Sequence, residues 1–297
     1  MKMWQGSIID WVITNEILPH YQKHVIPDYE AIAEKAVEIA KKQFEFSKNG
    51  FYHDPEISKS EAGTDWAILD IHESGIPYED DQLQRIYETI KEILINFPTY
   101  QSPSHGKNME QYLLSAKFLR PDAKSLNYEY EGVKIQPQID LISYMGKSMH
   151  VIDWKVVEKD DTNYSRQLLL EGIVALHYSR ERYKKEGWTP VPNLADVKIF
   201  EFNLLNGKYK EHVFNKDAVA HALDSVIILS DDQEELSHSR PWEELDIEDY
   251  ERTNKAETCE ICNFRFLCKH IILNNLVYDE DKYIRLVQNR ELEAHSV

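Results

Sequence analysis

The chain has 297 residues, 42% hydrophobic and 29% charged, with a formal net charge of −18. That length suits one large domain, or a core with appendages, around a substantial apolar interior. The charge argues against tight non-specific binding of duplex DNA, since such affinity comes from neutralising phosphates with Lys and Arg. The acids are unevenly spread, however, with ten of them in residues 230–251, which leaves room for a basic groove elsewhere. No apolar run has the length of a membrane span, and MKMWQGSIIDWVITNE lacks a basic segment followed by an uninterrupted apolar one. The cytoplasm is the expected compartment.

In chain order, Ile8, Ile9, Trp11, Val12 and Ile17 predict a helix that Pro19 interrupts. A second helix is expected from Pro27-Asp28 to Asn49-Gly50, burying Ile32, Ala36, Val37, Ile39, Ala40 and Phe44. Residues 51–60 read as loop. Residues 61–75 read as a helix with Trp66, Ile68, Leu69 and Ile71 inward, and 81–98 as an amphipathic helix ended by Pro98. After a polar loop at 99–106, NMEQYLLSAKFL (108–119) reads as a strand carrying Glu110.

The chemistry gathers in YEYEGVKIQPQIDLISYMGKSMHVIDWK, residues 128–155. Two antiparallel strands are expected, Tyr128 to Tyr144 and Met149 to Val157, with Met145-Gly146-Lys147 as the turn. Side chains two apart on a strand share a face, so Asp153 and Lys155 point together while Trp154 points away. Charges among β-branched residues are costly unless paired or bound to metal. Asp140, thirteen residues before Asp153, lies on the partner strand. The hairpin can therefore join two carboxylates, suited to a hard divalent cation, with one ammonium. That set suits phosphodiester hydrolysis: the cation polarises a phosphate oxygen and acidifies water, and the lysine supports the nucleophile or the developing charge.

A helix should follow from a cap at Thr162 or Asn163, burying Leu168, Leu169, Ile173, Val174, Leu176 and Tyr178. Residues 195–215 predict a hairpin turning at Asn206-Gly207, and 216–233 a further helix. All three cysteines, Cys259, Cys262 and Cys268, form C-x2-C-x5-C, a spacing that suggests metal more than a disulfide.

The wording QPQIDLI … VIDWK resembles the PD-(D/E)xK nucleases, specifically the RecB-like branch, and ETCEICNFRFLCKH resembles the C-terminal iron–sulfur segment of CRISPR-associated adaptation nucleases and AddB-type proteins. The resemblance implies an α/β fold with a restriction-endonuclease-like core: a central mixed sheet flanked by helices, at about 100–230. It further implies an N-terminal helical region (1–99) and an acidic linker with a C-terminal Cys module (231–297) that folds back on the N-terminal helices. It implies Mg2+- or Mn2+-dependent DNA cleavage, exonucleolytic on single-stranded ends, in repair, recombination or defence. A helicase or other subunit would be the partner. Asp140 and Asp153 would hold metal, Lys155 would act in catalysis, and Gln167 would position substrate. Arg166 and Tyr164 are candidates for phosphate contacts. Glu110 stands where many relatives have an acid.

Three departures stand out. In the G-x-x-x-H helix of such nucleases the residue four after Gly63 is Ala67; the nearest histidine is His72, a candidate ligand only in a shifted register. In Q-x-x-x-Y, Gln167 matches and Glu171 replaces the tyrosine. In C-P-x-x-Y, Leu18 replaces the fourth cysteine, so four thiolates cannot form a [4Fe–4S] site from this chain alone. Zinc on three thiolates with His20, His24 or His270, a cluster with another fourth ligand, and a metal-free site all remain open. The rival function is a catalytically weak nuclease-fold subunit that binds nucleic acid or scaffolds a larger complex.

Overall fold

The computed structural model describes residues 1–73, 75–158 and 164–236, with residues 240, 241, 244, 255, 258, 262 and 268. The chain divides into two compact units, Met1–Ser225 and Val226–Val297. The first opens with α1 (Lys2–Val12), a π-helical turn Ile13–Ile17, α2 (Leu18–Gln22) and α3 (Tyr29–Lys48). Short helices α4 (Lys59–Ala62) and α5 (Asp70–Glu73) lead to α6 (Asp80–Asn96) and α7 (Met109–Ser115). Strands β1 (Phe118–Pro121), β2 (Tyr128–Tyr130), β3 (Val133–Ile135), β4 (Leu141–Met145) and β5 (Ser148–Lys155) follow. After them come α8 (Ser165–Glu186), β6 (Val197–Asn203), β7 (Lys208–His212) and α9 (Lys216–Leu236).

Five strands form one mixed sheet in the order β1-β4-β5-β6-β7, and β2-β3 make a separate ribbon. Among the described strands only the β5–β6 pair is parallel, with α8 as its crossover. The even positions of β5 turn to the N-terminal helices. There Trp4, Ile9, Val12, Ile13, Phe44, Ile90 and Phe97 share one core with Ile152, Trp154, Phe200 and Phe202. The odd positions turn to α8: the Ser179 hydroxyl donates to Met149 Sδ at 3.2 Å. The approach of α8 is close at Gly172, where a Cβ would lie 2.7 Å from Phe214 and 2.9 Å from Ile199.

Three expectations need correction. Residues 109–115 are helix, not strand: Asn108 and Gln111 exchange side-chain and backbone bonds in a capping box, and the strand is confined to Phe118–Pro121. Residues 61–75 are not one helix, because Gly63 at φ 56°, ψ −123° ends α4, and only Asp70–Glu73 resumes. The long strand from Tyr128 is broken into β2, β3 and β4 by Glu131-Gly132, both at positive φ, and by the irregular stretch before Leu141. The β4–β5 turn at Gly146 (φ 64°), α8 and the Asn206-Gly207 hairpin stand as expected, but α8 begins at Ser165 with Tyr164 at its cap position. Thr162 and Asn163 lie outside the described residues, as does nearly all of the C-terminal module.

Candidate active site

The register settles which side chains meet. Leu141 pairs with Ile152, so the next antiparallel pair is Asp140 with Asp153, and both point to the α8 face of the sheet. Asp140 sits just before β4 and accepts the Trp154 backbone N–H on Oδ2 at 2.7 Å. Asp153 is 2% exposed. Its Oδ2 lies 2.7 Å from the Lys155 ammonium, a buried ion pair. The Lys155 ammonium also stands 4.4 Å from the centre of the Tyr164 ring, at the mouth of α8. Gln167, half a turn into α8, donates to Asp153 Oδ1 (3.1 Å) and to Glu171 Oε1 (2.8 Å), bridging the two acids with one amide.

Two members of the cluster escaped the sequence reading. Glu171 is fully buried, one turn past Gln167, and its Oε2 has no partner. Asp10 comes from α1, and its buried Oδ1 has no partner either. A usable signal existed for Asp10: Gly6-x3-Asp10 has the G-x-x-x-H spacing sought around Gly63, with aspartate in place of histidine. The Glu171 signal was its i+4 position from Gln167, which puts both on one helix face.

The electrostatics are those of crowded acids. Burial raises the Asp140 carboxyl to about 8, helped by Asp10 and Asp153. Burial likewise raises Asp153 against the opposing pull of Lys155, and Glu201 pushes it further up. Glu171 is raised well above the carboxylate range by burial and by Asp153, and Asp10 is raised chiefly by burial. Burial alone would lower the Lys155 ammonium; the carboxylates of Asp153, Asp140 and Glu171 outweigh it and leave it raised. Orphaned, desolvated carboxylate oxygens lower their cost by binding a cation. All-oxygen donors suit Mg2+, Mn2+ or Ca2+ rather than a soft metal. The residues present therefore fit a hard divalent ion. Among the described residues no three His, Cys, Asp or Glu groups already stand in ligating geometry, and the Lys155 ammonium supplies the local positive charge.

A second set of buried groups braces this one. Glu201 lies beside Asp153 in the β5–β6 register and pairs with His212 Nε2 at 3.0 Å. His212 Nδ1 is 3.1 Å from Ser165 Oγ, which ties the first residue of α8 to the sheet. Beside it, Ser165, Arg166, Leu169, His221, Ala222 and Ser225 line a cavity of about 540 Å³.

The remaining candidates lie elsewhere. His72 is 2.9 Å from the Ser47 hydroxyl through Nδ1 and packs edge-on to Phe44 and Tyr78; none of these partners is an acid. Glu110 is in the first turn of α7. Cys262 and Cys268 are half-buried, and Cys259 lies outside the described residues.

The family model for the PD-(D/E)XK nuclease superfamily matches residues 54–269, most of the chain. The chain belongs to that superfamily. Its sheet, with helices on both faces, is the restriction-endonuclease-like core expected of a PD-(D/E)XK protein, and superfamily members are typically Mg2+- or Mn2+-dependent nucleases acting on nucleic acid. Asp140, Asp153, Lys155, Gln167 and Glu171 fall inside the matched stretch, while Asp10 precedes it. No curated protein and no solved structure matches the chain.

Proposed function

We propose that the protein is a Mg2+- or Mn2+-dependent deoxyribonuclease, working as an exonuclease on single-stranded ends. The observation that carries this is the convergence of Asp140, Asp153 and Glu171 beside Lys155, with Asp10 close by on α1: Gln167 bridges Asp153 and Glu171, Lys155 pairs with Asp153, and burial raises all four acids. Asp140, Asp153 and Glu171 would hold the ion, and Asp10 would close the site from α1. A divalent cation there would polarise a phosphodiester oxygen and make a nearby water more acidic. Lys155, steered by Asp153 and the Tyr164 ring, directs its ammonium at the attacking oxygen or at charge on the phosphate. Gln167 fixes the relative position of Asp153 and Glu171 by donating to one oxygen of each. The C-terminal cysteines would bind zinc or an iron–sulfur cluster as a structural staple.

The test is cleavage of end-labelled single-stranded and duplex DNA with Mn2+, beside Lys155→Ala. The expected result is progressive shortening of the single strand by the wild type and none by the variant. Absence of cleavage by both would favour a catalytically weak nuclease-fold subunit that binds nucleic acid or scaffolds a larger complex, and the charge of −18 suits the scaffold better than the binder. Equal cleavage by both would place the chemistry elsewhere.

A further inference from the structure

The sheet face that carries the carboxylates ends at an edge, β1, which the mechanism leaves unused. Phe118 pairs with Tyr144 and Arg120 with Ile142 in the β1–β4 register, so both point to the α8 face, as Asp140 and Asp153 do. Two residues beyond Arg120, the Asp122 N–H donates to the Asp140 carbonyl at 3.0 Å, so this edge begins at the catalytic hairpin. Across from it, Gln167, Glu171, Tyr178 and Arg182 fall within about 60° of arc on α8, one stripe running about 22 Å away from the site. The two rows touch through arginines and rings. The Arg120 guanidinium is 4.3 Å from the Tyr178 ring centre, and the Arg182 guanidinium is 5.3 Å from both Phe118 and Trp188. Phe118 is 44% exposed and Trp188 46%, so neither ring is committed to the core.

Local charge departs from the whole. Residues 117–120 hold two basic residues and no acid, and residues 177–188 hold four basic and two acidic residues, within a chain of net charge −18. A clamp that only pinned β1 to α8 would bury its rings. Half-exposed aromatics interleaved with arginines, at the margin of a polyanion-cleaving site, have the composition that unpaired nucleotides require. Bases stack on ring faces and phosphates meet the guanidinium groups. A duplex keeps its base faces internal and would use only the cations.

We propose that Phe118, Arg120, Tyr178, Arg182 and Trp188 form the track along which single-stranded DNA reaches the carboxylates. This rests on the nuclease reading, and it adds the route of the strand and the side chains that hold its bases and phosphates. The track gives an acidic protein a local cationic path, so that the strand approaches along β1 and α8.

The test is equilibrium binding of a fluorescent oligothymidylate and of a duplex of equal length, by anisotropy, in EDTA so that no cleavage occurs. It compares wild type with Arg120→Gln/Arg182→Gln and with Phe118→Ala/Trp188→Ala, after thermal unfolding confirms that each is folded. The wild type should favour the single strand. The arginine variant should bind it more weakly, with the slope of log K against log salt reduced by about 1.4, two phosphate contacts' worth. The aromatic variant should lose roughly 10-fold or more while keeping the wild-type slope, because stacking is not counterion release. Single-strand affinity unchanged in both variants, or equal wild-type affinity for duplex, would overturn the track. Cleavage with Mn2+ is read separately: a protein that binds through the track yet never cuts would sink the nuclease reading alone, and one that cuts with unaltered variants would sink the track alone. The exposed Trp188→Ala by itself, the mildest change to packing, should still weaken single-strand binding.

Discussion

The substitution Asp140→Asn should make the metal-free protein more stable while abolishing its activity. Asp140 is held near pKa 8 by burial, Asp10 and Asp153, against about 4 in an unfolded chain. At pH 7 the unfolded state is therefore ionised, and the folded state must either keep a proton or accommodate a repelled charge. With each pKa unit worth about 1.4 kcal/mol, and with the side chain's partial exposure allowed for, the penalty at pH 7 is on the order of 2–4 kcal/mol. The carboxamide of Asp140→Asn keeps an oxygen for the Trp154 N–H, so the bond at 2.7 Å survives the change. For a chain of this size the gain corresponds to about 3–6 °C in Tm. The sign with pH is fixed by the raised folded value. The wild-type penalty is complete above about pH 8 and disappears as pH falls towards 4, so the advantage of the variant should shrink along the same path. The assay is thermal unfolding in EDTA at pH 7 and pH 4.5. A variant less stable than wild type at pH 7, or an advantage that does not shrink on acidification, would refute the picture of four acids in mutual repulsion.

Glu171→Gln should likewise raise Tm in EDTA and depress cleavage at least 100-fold in saturating Mn2+, if this buried acid joins Asp153 in holding the ion; normal turnover would remove it from the site. Gly172→Ala would drive a Cβ to 2.7 Å from Phe214 and 2.9 Å from Ile199, shifting α8 for about 1–3 kcal/mol, read by denaturant unfolding. The same shift should lower activity by moving Gln167 and Glu171. His150, 3.0 Å from the Tyr112 hydroxyl, is held by burial at about 4, below its unfolded value near 6.5. Its contribution is complete above pH 6.5 and lost as pH falls towards 4. Wild type should therefore lose about 3 kcal/mol more than His150→Leu over that window in denaturant titrations, and parallel curves would contradict this.

The hairpin was legible because its chemistry and its periodicity agree. Ile139, Leu141 and Ile142 around Asp140, and Val151 and Ile152 before Asp153, fix the register and so the shared face. Gln167 was legible from its helix register. Residues 109–115 misled because Tyr112, Leu113 and Leu114 offer a short apolar run that fits either period. The deciding signal was local, the Asn108-x2-Gln111 box. Residues 61–75 carry a helical stripe that a backbone break at Gly63 overrides. Asp10 was hidden by distance along the chain, since only tertiary packing brings α1 to a hairpin 130 residues later. Glu171 was read as a missing tyrosine, although a carboxylate there adds a donor to the same cluster.

The central claim is that these acids share one divalent cation. Its most direct test is calorimetric titration of Mn2+ into the wild type and into Asp153→Asn at pH 7. The account predicts saturable binding, with proton release from the raised carboxyls, that disappears in the variant. Equal binding by both proteins would place the ion, and with it the hydrolytic chemistry, away from this hairpin.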